Sequence, residues 1–418
     1  MVIAKRRLRR TVATIVRSLP FFPQSIPNRL GDDDRLLGHA LDEDVLVYFP
    51  SPPDSIYQLL PWLTTFEALH QRHPVAVICQ DSRVAAAVRQ RTSMRVLTIA
   101  RYGRLDDLLG RSDVKLALYV SHEPRNFQCL RFASLMHVYL GHGDSDKGVS
   151  ASNQLKAYDY AMVPGQAAVD RIARRLMNYD AAERCIVIGQ PYSPPMIRGR
   201  RPAADDRCTV LYAPTWEGAQ PSVAYSSLLS HGLRLVRALL ADPRFRVVFR
   251  PHPLSGVTSG DYAAAAKDIE SAISAASSAD PAAGHTTVRV DDEPIEASFD
   301  RADVLVTDVS AVATAWLPAD RPMLITKPAS EQSTPADSGM VSALPRLSVE
   351  QLAGAAVLLW AEHQRDSAAP ERRRLISYYA ATVDPEDPAA RFLDACERLM
   401  QERDAARNSL LDQGGGAL

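Results

Sequence analysis

At 418 residues the chain is longer than one hydrophobic core ordinarily fills, so two domains are expected. Hydrophobic residues at 46% and charged residues at 23% are values for a globular protein, and a net charge of −1 argues against a globally basic nucleic-acid binder. The five cysteines (Cys79, Cys129, Cys185, Cys208, Cys396) share no C-x-x-C spacing, which points to buried thiols in a reducing compartment and away from disulfides or a zinc site.

The charge is unevenly spread at the start. Lys5, Arg6, Arg7, Arg9, Arg10, Arg17 and Arg29 occur before any acid, and Asp32, Asp33, Asp34, Asp42, Glu43 and Asp44 follow. Leu8, Val12, Ile15, Val16 and Leu19 fall on one narrow helical face, with Arg6, Arg10 and Arg17 nearly opposite. This pattern predicts a basic amphipathic helix over residues 2–19 that lies on an anionic membrane surface. The alternative is a helix packed on its own domain with solvated arginines. The acidic segment that follows argues against a nucleic-acid partner. No apolar run approaches the ~20 residues that cross a bilayer, and arginines interrupt what would be a secretory core. The expected location is therefore cytoplasmic, peripheral on the inner face of the membrane.

Short apolar runs then alternate with helical stretches. Strands are predicted at 44–50, 74–80, 94–100, 114–120, 137–141, 160–164 and 185–189, with helices such as 55–72, 82–92 and 165–178 between them. The proline-rich, charged segment 191–207 reads as a linker. A second series follows at 208–213, 245–250, 286–290, 302–307 and 321–326, with a surface helix and loop over 262–283. Continuous apolar strands alternating with helices imply parallel sheets covered on both faces. Near the end, Asp387-Pro388 is a good helix start, and Phe392, Cys396, Leu399 and Met400 supply an apolar stripe. The expected organisation is a membrane-surface segment (1–30), two Rossmann-like domains (31–195 and 196–385), and a terminal helix with a disordered tail (386–418). A single large sheet with insertions is the alternative.

Two motifs place a histidine at the end of such a strand. In Gly141-His142-Gly143-Asp144-Ser145-Asp146-Lys147 the glycines permit an open turn around His142. Asp144 or Asp146 is a candidate to orient the ring, and Lys147 adds a positive charge. In Arg250-Pro251-His252-Pro253 the prolines stiffen the backbone, and a fixed guanidinium and imidazole suit a phosphoryl group. A loop histidine satisfied by backbone, and an arginine in a structural ion pair, are the respective alternatives. The run 302–310 ends a strand with Thr307 and Asp308 and enters a helix at Ser310, where Thr314 adds a hydroxyl to an anion cradle. Asp308 is a candidate for a ribose or cation, or a helix cap. Tyr212-Ala213-Pro214-Thr215-Trp216 ends another strand with a hydroxyl and an aromatic plane, suited to a nucleotide or to interdomain packing. G-x-G-x-x-G, Walker, metal-cluster and G-x-S-x-G patterns are lacking, so no resident cofactor or metal is expected.

These segments, in this order, resemble the CDP-glycerol glycerophosphotransferases of teichoic-acid synthesis. The resemblance runs through GHGDSDK (141–147), VLYAPTW (210–216), FRPHP (249–253), ADVLVTDVSAVATAW (302–316), RPMLIT (321–326) and DPEDPAARFLDACERL (384–399). It implies a GT-B fold with an active site between two domains, a CDP-polyol donor held mainly by the second, and a lipid-linked or polymeric acceptor at the membrane. It further implies His142 as general base, His252 near the donor phosphates, and Ser310 in the diphosphate-binding turn. The chain differs from the family's usual Thr-Pro-Leu-Lys at 144–147 and its usual Tyr-Ser-Ser at 309–311. A nucleotide-sugar glycosyltransferase, a nucleotide-sugar isomerase and a non-catalytic membrane-associated scaffold remain as alternatives.

Overall fold

The structure is a computed structural model that describes residues 14–19, 21–147, 151–191, 199, 206–218, 224–290, 292–328, 339–380 and 387–412. Each predicted apolar run forms a strand. The first seven are β1 (Val45–Phe49), β2 (Val75–Cys79), β3 (Arg95–Thr98), β4 (Leu116–Tyr119), β5 (Met136–Tyr139), β6 (Tyr160–Val163) and β7 (Cys185–Val187). They pair in parallel in the order β3-β2-β1-β4-β5-β6-β7. The second sheet joins β8 (Cys208–Ala213), β9 (Phe245–Phe249), β10 (Thr286–Thr287), β11 (Val304–Thr307), β12 (Met323–Thr326) and β13 (Arg346–Leu347) in the parallel order β10-β9-β8-β11-β12-β13.

The central strands β1, β2, β4, β8 and β11 are buried at every position, because helices cover both faces and leave no side to alternate toward water. In each sheet the strand order reverses once, at β1/β4 and at β8/β11. Such switch points open a crevice at the carboxyl ends of the strands, where ligands of open α/β sheets bind. All five cysteines are free, and four of them are buried.

One predicted helix is broken. Residues 55–72 form a 3-10 turn at Pro53–Gln58, a second at Leu60–Trp62, and a helix only over Leu63–His70. Pro61 cannot donate to a preceding carbonyl, so the regular ladder starts after it. The break has two consequences for the site. It carries Tyr57 over the strand ends, and it aims Trp62 so that its indole N–H donates to the Gly141 carbonyl at 2.8 Å.

The terminal helix Pro388–Asp412 starts as expected, with the Asp387 carboxylate accepting from the Ala389 N–H at 3.0 Å. It returns to the first domain, not the second. Phe392, Cys396, Leu399 and Met400 are buried in the core that contains Trp62 and Phe66. Phe392 stands 5.7 Å from the Trp62 ring and 6.3 Å from that of Phe66. Burying Phe392, Leu399 and Met400 stabilises the fold by roughly 1.5–3 kcal/mol each.

The amphipathic helix predicted over 2–19 lies mostly outside the described residues; within them 14–18 are helical, and Ile15 and Val16 are exposed. Most of the linker 191–207, with the expected domain boundary, also lies outside them. The first acids after the basic segment serve the fold. Asp33 accepts from the backbone of Ala100 and Arg101, and Asp32 from that of Thr98. Among the described residues no helix is long and apolar enough to cross a membrane.

Candidate active site

The two switch points meet. A methyl group on Gly143, beyond β5, would lie 2.9 Å from the Cβ of Ala311, which opens the helix after β11. Gly143 has φ +143°, so glycine is required there by both conformation and contact. Beside it Lys147 Nζ donates to Thr215 Oγ1, beyond β8, at 2.9 Å.

His142 sits between Gly141 (φ +69°) and Gly143. Its Nδ1 lies 3.1 Å from the Val120 carbonyl oxygen at the end of β4. A carbonyl only accepts, so Nδ1 carries the proton and Nε2 presents a bare lone pair. His142 is exposed to the crevice, but the protein crowded around it desolvates the ring and lowers its pKa, against the opposing pull of the Val120 carbonyl, which favours the neutral form near pH 7. That is the form a general base requires.

His252 has the opposite tautomer. Its Nδ1 accepts from the Leu254 backbone N–H at 3.1 Å, so Nε2 carries the hydrogen and donates. Burial, then Lys147, then His142 lower its pKa to about 3. The Trp216 ring lies nearly parallel to it, centroids 6.3 Å apart and planes at 24°. The neighbouring Glu217 carboxylate accepts from the N–H groups of Gly256, Thr258 and Ser259 and so fixes the loop after His252.

Both imidazoles contact one phenol. Tyr57 packs edge-to-face with His142 at 6.0 Å and with His252 at 5.6 Å. The two rings, one from each domain, therefore flank a common space. Lys147 enters the same region over the Tyr225 ring, 5.7 Å from its centroid. Burial lowers the Lys147 pKa to about 8, opposed by the Asp308 carboxylate.

Several predicted roles need correction. Asp144 and Asp146 do not orient His142: both pair with the buried Arg171 guanidinium, Asp146 at 3.0 Å, and Asp146 also accepts from the Tyr379 hydroxyl at 2.9 Å. They brace the loop, while the Val120 carbonyl orients the ring. Burial raises the Asp144 pKa, opposed by Arg171. Arg250 is 7% exposed and turns inward, donating to Ser298 Oγ at 3.1 Å and to the Glu293 carbonyl at 2.8 Å. The structural pairing holds there, not an open phosphate contact. Asp308 is neither a ligand group in the open crevice nor the cap of the helix after β11. It is fully buried and accepts from the N–H groups of Thr215 (2.7 Å) and Ser227 (3.2 Å) and from the Thr326 hydroxyl (2.5 Å). Its role is to tie three strand-end segments together.

The hydroxyls after β11 are internal. Thr307 Oγ1 donates to the Ala213 carbonyl and stands 3.2 Å from Ser310 Oγ. Ser310 is the N-cap of the helix Ala311–Trp316, but its side chain makes no capping bond. Thr314 is 1% exposed, and its Oγ1 has no hydrogen-bond partner among the described residues.

The structure adds residues that the sequence reading passed over. His122 follows β4, stacks on Tyr139 at 4.1 Å, and has a pKa lowered to about 4 by burial and then by His142. It ends an apolar run just as His142 does, and that signal was available. Tyr57 and Arg171 carry no local signal. Among the described residues no group of three or more His, Cys, Asp or Glu side chains is arranged to hold a metal ion.

Two parallel-sheet domains whose switch points share one site make this a GT-B fold. The chain aligns over 96% of its length with 99% of the wall teichoic acid polymerase TagF, at 14% identity and TM-score 0.55. A TagF variant with CDPG aligns with 97% of its length at 13% identity and TM-score 0.56. A Listeria monocytogenes protein described as a UDP-N-acetylglucosamine 2-epimerase aligns over 87% of this chain and 98% of its own, at 12% identity and TM-score 0.53. No curated protein matches significantly. Residues 139–341, which hold both crevice histidines, match the family model CDP-Glycerol:Poly(glycerophosphate) glycerophosphotransferase.

Proposed function

We propose that the protein transfers a polyol phosphate, of the glycerol-phosphate kind, from a CDP-activated donor to a hydroxyl of a lipid-linked or polymeric acceptor in teichoic-acid-type synthesis. The observation that carries this reading is the pair of opposed tautomers: a bare Nε2 on His142 and a protonated Nε2 on His252, beside one phenol ring.

In this reaction the acceptor oxygen attacks the β-phosphorus of the donor while His142 Nε2 takes its proton. The bond from the β-phosphorus to the bridging oxygen breaks, and CMP leaves. Charge on the transferring group and on CMP is met by the Lys147 ammonium and the His252 Nε2–H, held in place before the donor arrives. These groups supply the electrostatics without an assigned cofactor. The basic segment at residues 5–17 would hold the enzyme on an anionic inner membrane surface, where a lipid-linked acceptor resides.

Nucleotide release across CDP-glycerol, CDP-ribitol and UDP-sugars, each with and without an acceptor, tests the reading. CMP release that needs both a CDP-polyol and an acceptor supports it. UDP release with a UDP-sugar and acceptor would make the enzyme a glycosyltransferase, and acceptor-free conversion of a UDP-sugar would make it an isomerase. No turnover of any donor would leave a scaffold.

A further inference from the structure

Tyr57 stands where the proposed chemistry must take place. Its ring meets His142 with planes at 90° and His252 with planes at 81°, so one side chain bridges the base of the first domain and the donor-facing imidazole of the second. The same space must admit the acceptor hydroxyl. Water in that position would be a competing nucleophile. His142 would take its proton, its oxygen would bond to the β-phosphorus, and the bond to the bridging oxygen would break, giving polyol phosphate and CMP. Nothing in the two imidazoles themselves separates an alcohol from water.

We infer that Tyr57 keeps water out of the space between His142 and His252 and yields it to the acceptor, so that this phenol decides between transfer and hydrolysis. The inference rests on the proposed transfer reaction. Three features of the turn suit the role. Tyr57 sits on the 3-10 turn Pro53–Gln58, which has no fully buried residue and touches the core through the partly buried Ile56, so the phenol can turn without withdrawing a fully buried side chain. Its hydroxyl accepts only a marginal bond from the neighbouring Gln58 Nε2 at 3.3 Å, which holds the ring weakly. The ring itself is half-buried, and its contacts with the two imidazoles are apolar edge-to-face packing, which an entering substrate can replace. Exclusion of water by a displaceable group is a recognised means of protecting a reactive centre.

The experiment measures CMP release from CDP-glycerol with and without acceptor in the wild type, Y57F, Y57A and Y57L, each checked for a native melting transition. In the wild type, release depends on acceptor. Y57F keeps that dependence, because the ring remains. Y57A raises acceptor-free release relative to acceptor-dependent release by about tenfold, and Y57L moves in the same direction should Y57A not fold. A folded variant whose two rates fall together, with their ratio unchanged, overturns the inference and leaves Tyr57 a packing residue. Wild-type protein that releases no CMP with any CDP-polyol and acceptor overturns the transfer reading first, and this assignment with it.

Discussion

Lys147, from the loop beyond β5, donates from Nζ to Oγ1 of Thr215, beyond β8, at 2.9 Å. The bond crosses the seam between the domains and brings a partly desolvated ammonium beside His252. Among the described residues its hydrogen-bond partner is a neutral hydroxyl, so a donor phosphate would be a stronger one.

Replacement of Lys147 by methionine should therefore weaken use of the donor more than the fold. A hydrogen bond to a charged group is worth about 1.5–3 kcal/mol, which corresponds to roughly 10- to 100-fold in kcat/KM. Steady-state kinetics with CDP-glycerol as the varied substrate would measure it. An unchanged KM and kcat would remove Lys147 from the donor site.

The pH profile of kcat/KM should be bell-shaped. His142 must be neutral to act as base, and desolvation lowers its pKa from 6.5, so activity rises with pH through a limb below 6.5. Lys147 must be protonated, and its pKa of about 8 sets a falling limb near that pH. K147R keeps its charge at any working pH and should remove the falling limb while leaving the rising one. A rate profile of K147R that still falls near pH 8 would assign that limb to another group.

His142→Ala removes the proposed base but leaves the groups proposed to face the donor. Turnover should fall by roughly 10²–10⁴-fold, with CDP-glycerol affinity near that of the wild type. Single-turnover CMP release combined with calorimetric donor binding separates the two effects. Loss of binding in step with turnover would make His142 a donor ligand instead.

Arg171 is 5% exposed and pairs with two carboxylates, so R171M strands both in the interior. Removing one partner of a buried ion pair costs about 3–5 kcal/mol. The triple change R171M with D144N and D146N removes the uncompensated charge and should recover most of the loss in a denaturant melt. If R171M alone melts like the wild type, the braced loop is not held by these charges.

Much of the fold was legible because buried parallel strands are written as unbroken apolar runs, such as Val45–Phe49 and Cys208–Ala213. β13 was missed because two residues carry no period. The break in residues 55–72 follows from Pro61, which the helical composition around it masked. At the site, His142 and His252 announced themselves by ending strands beside glycine or proline. Arg250 was misread because adjacency to His252 in sequence says nothing of where a long guanidinium turns, and Ser298 and Glu293, distant in sequence, capture it. Asp144 and Asp146 were misread for the same reason: Arg171 reaches them from the helix Gln166–Arg175, and no spacing rule reports that meeting.

The helix Pro388–Asp412 fills a gap beside Trp62 and Phe66, residues synthesised more than three hundred positions earlier. Until that helix emerges from the ribosome, the first lobe presents an open aromatic face, and the second sheet must be made in the interval. Folding of the two lobes strictly one after the other is thus not available in full: the first is completed only once the helix Pro388–Asp412 closes on it.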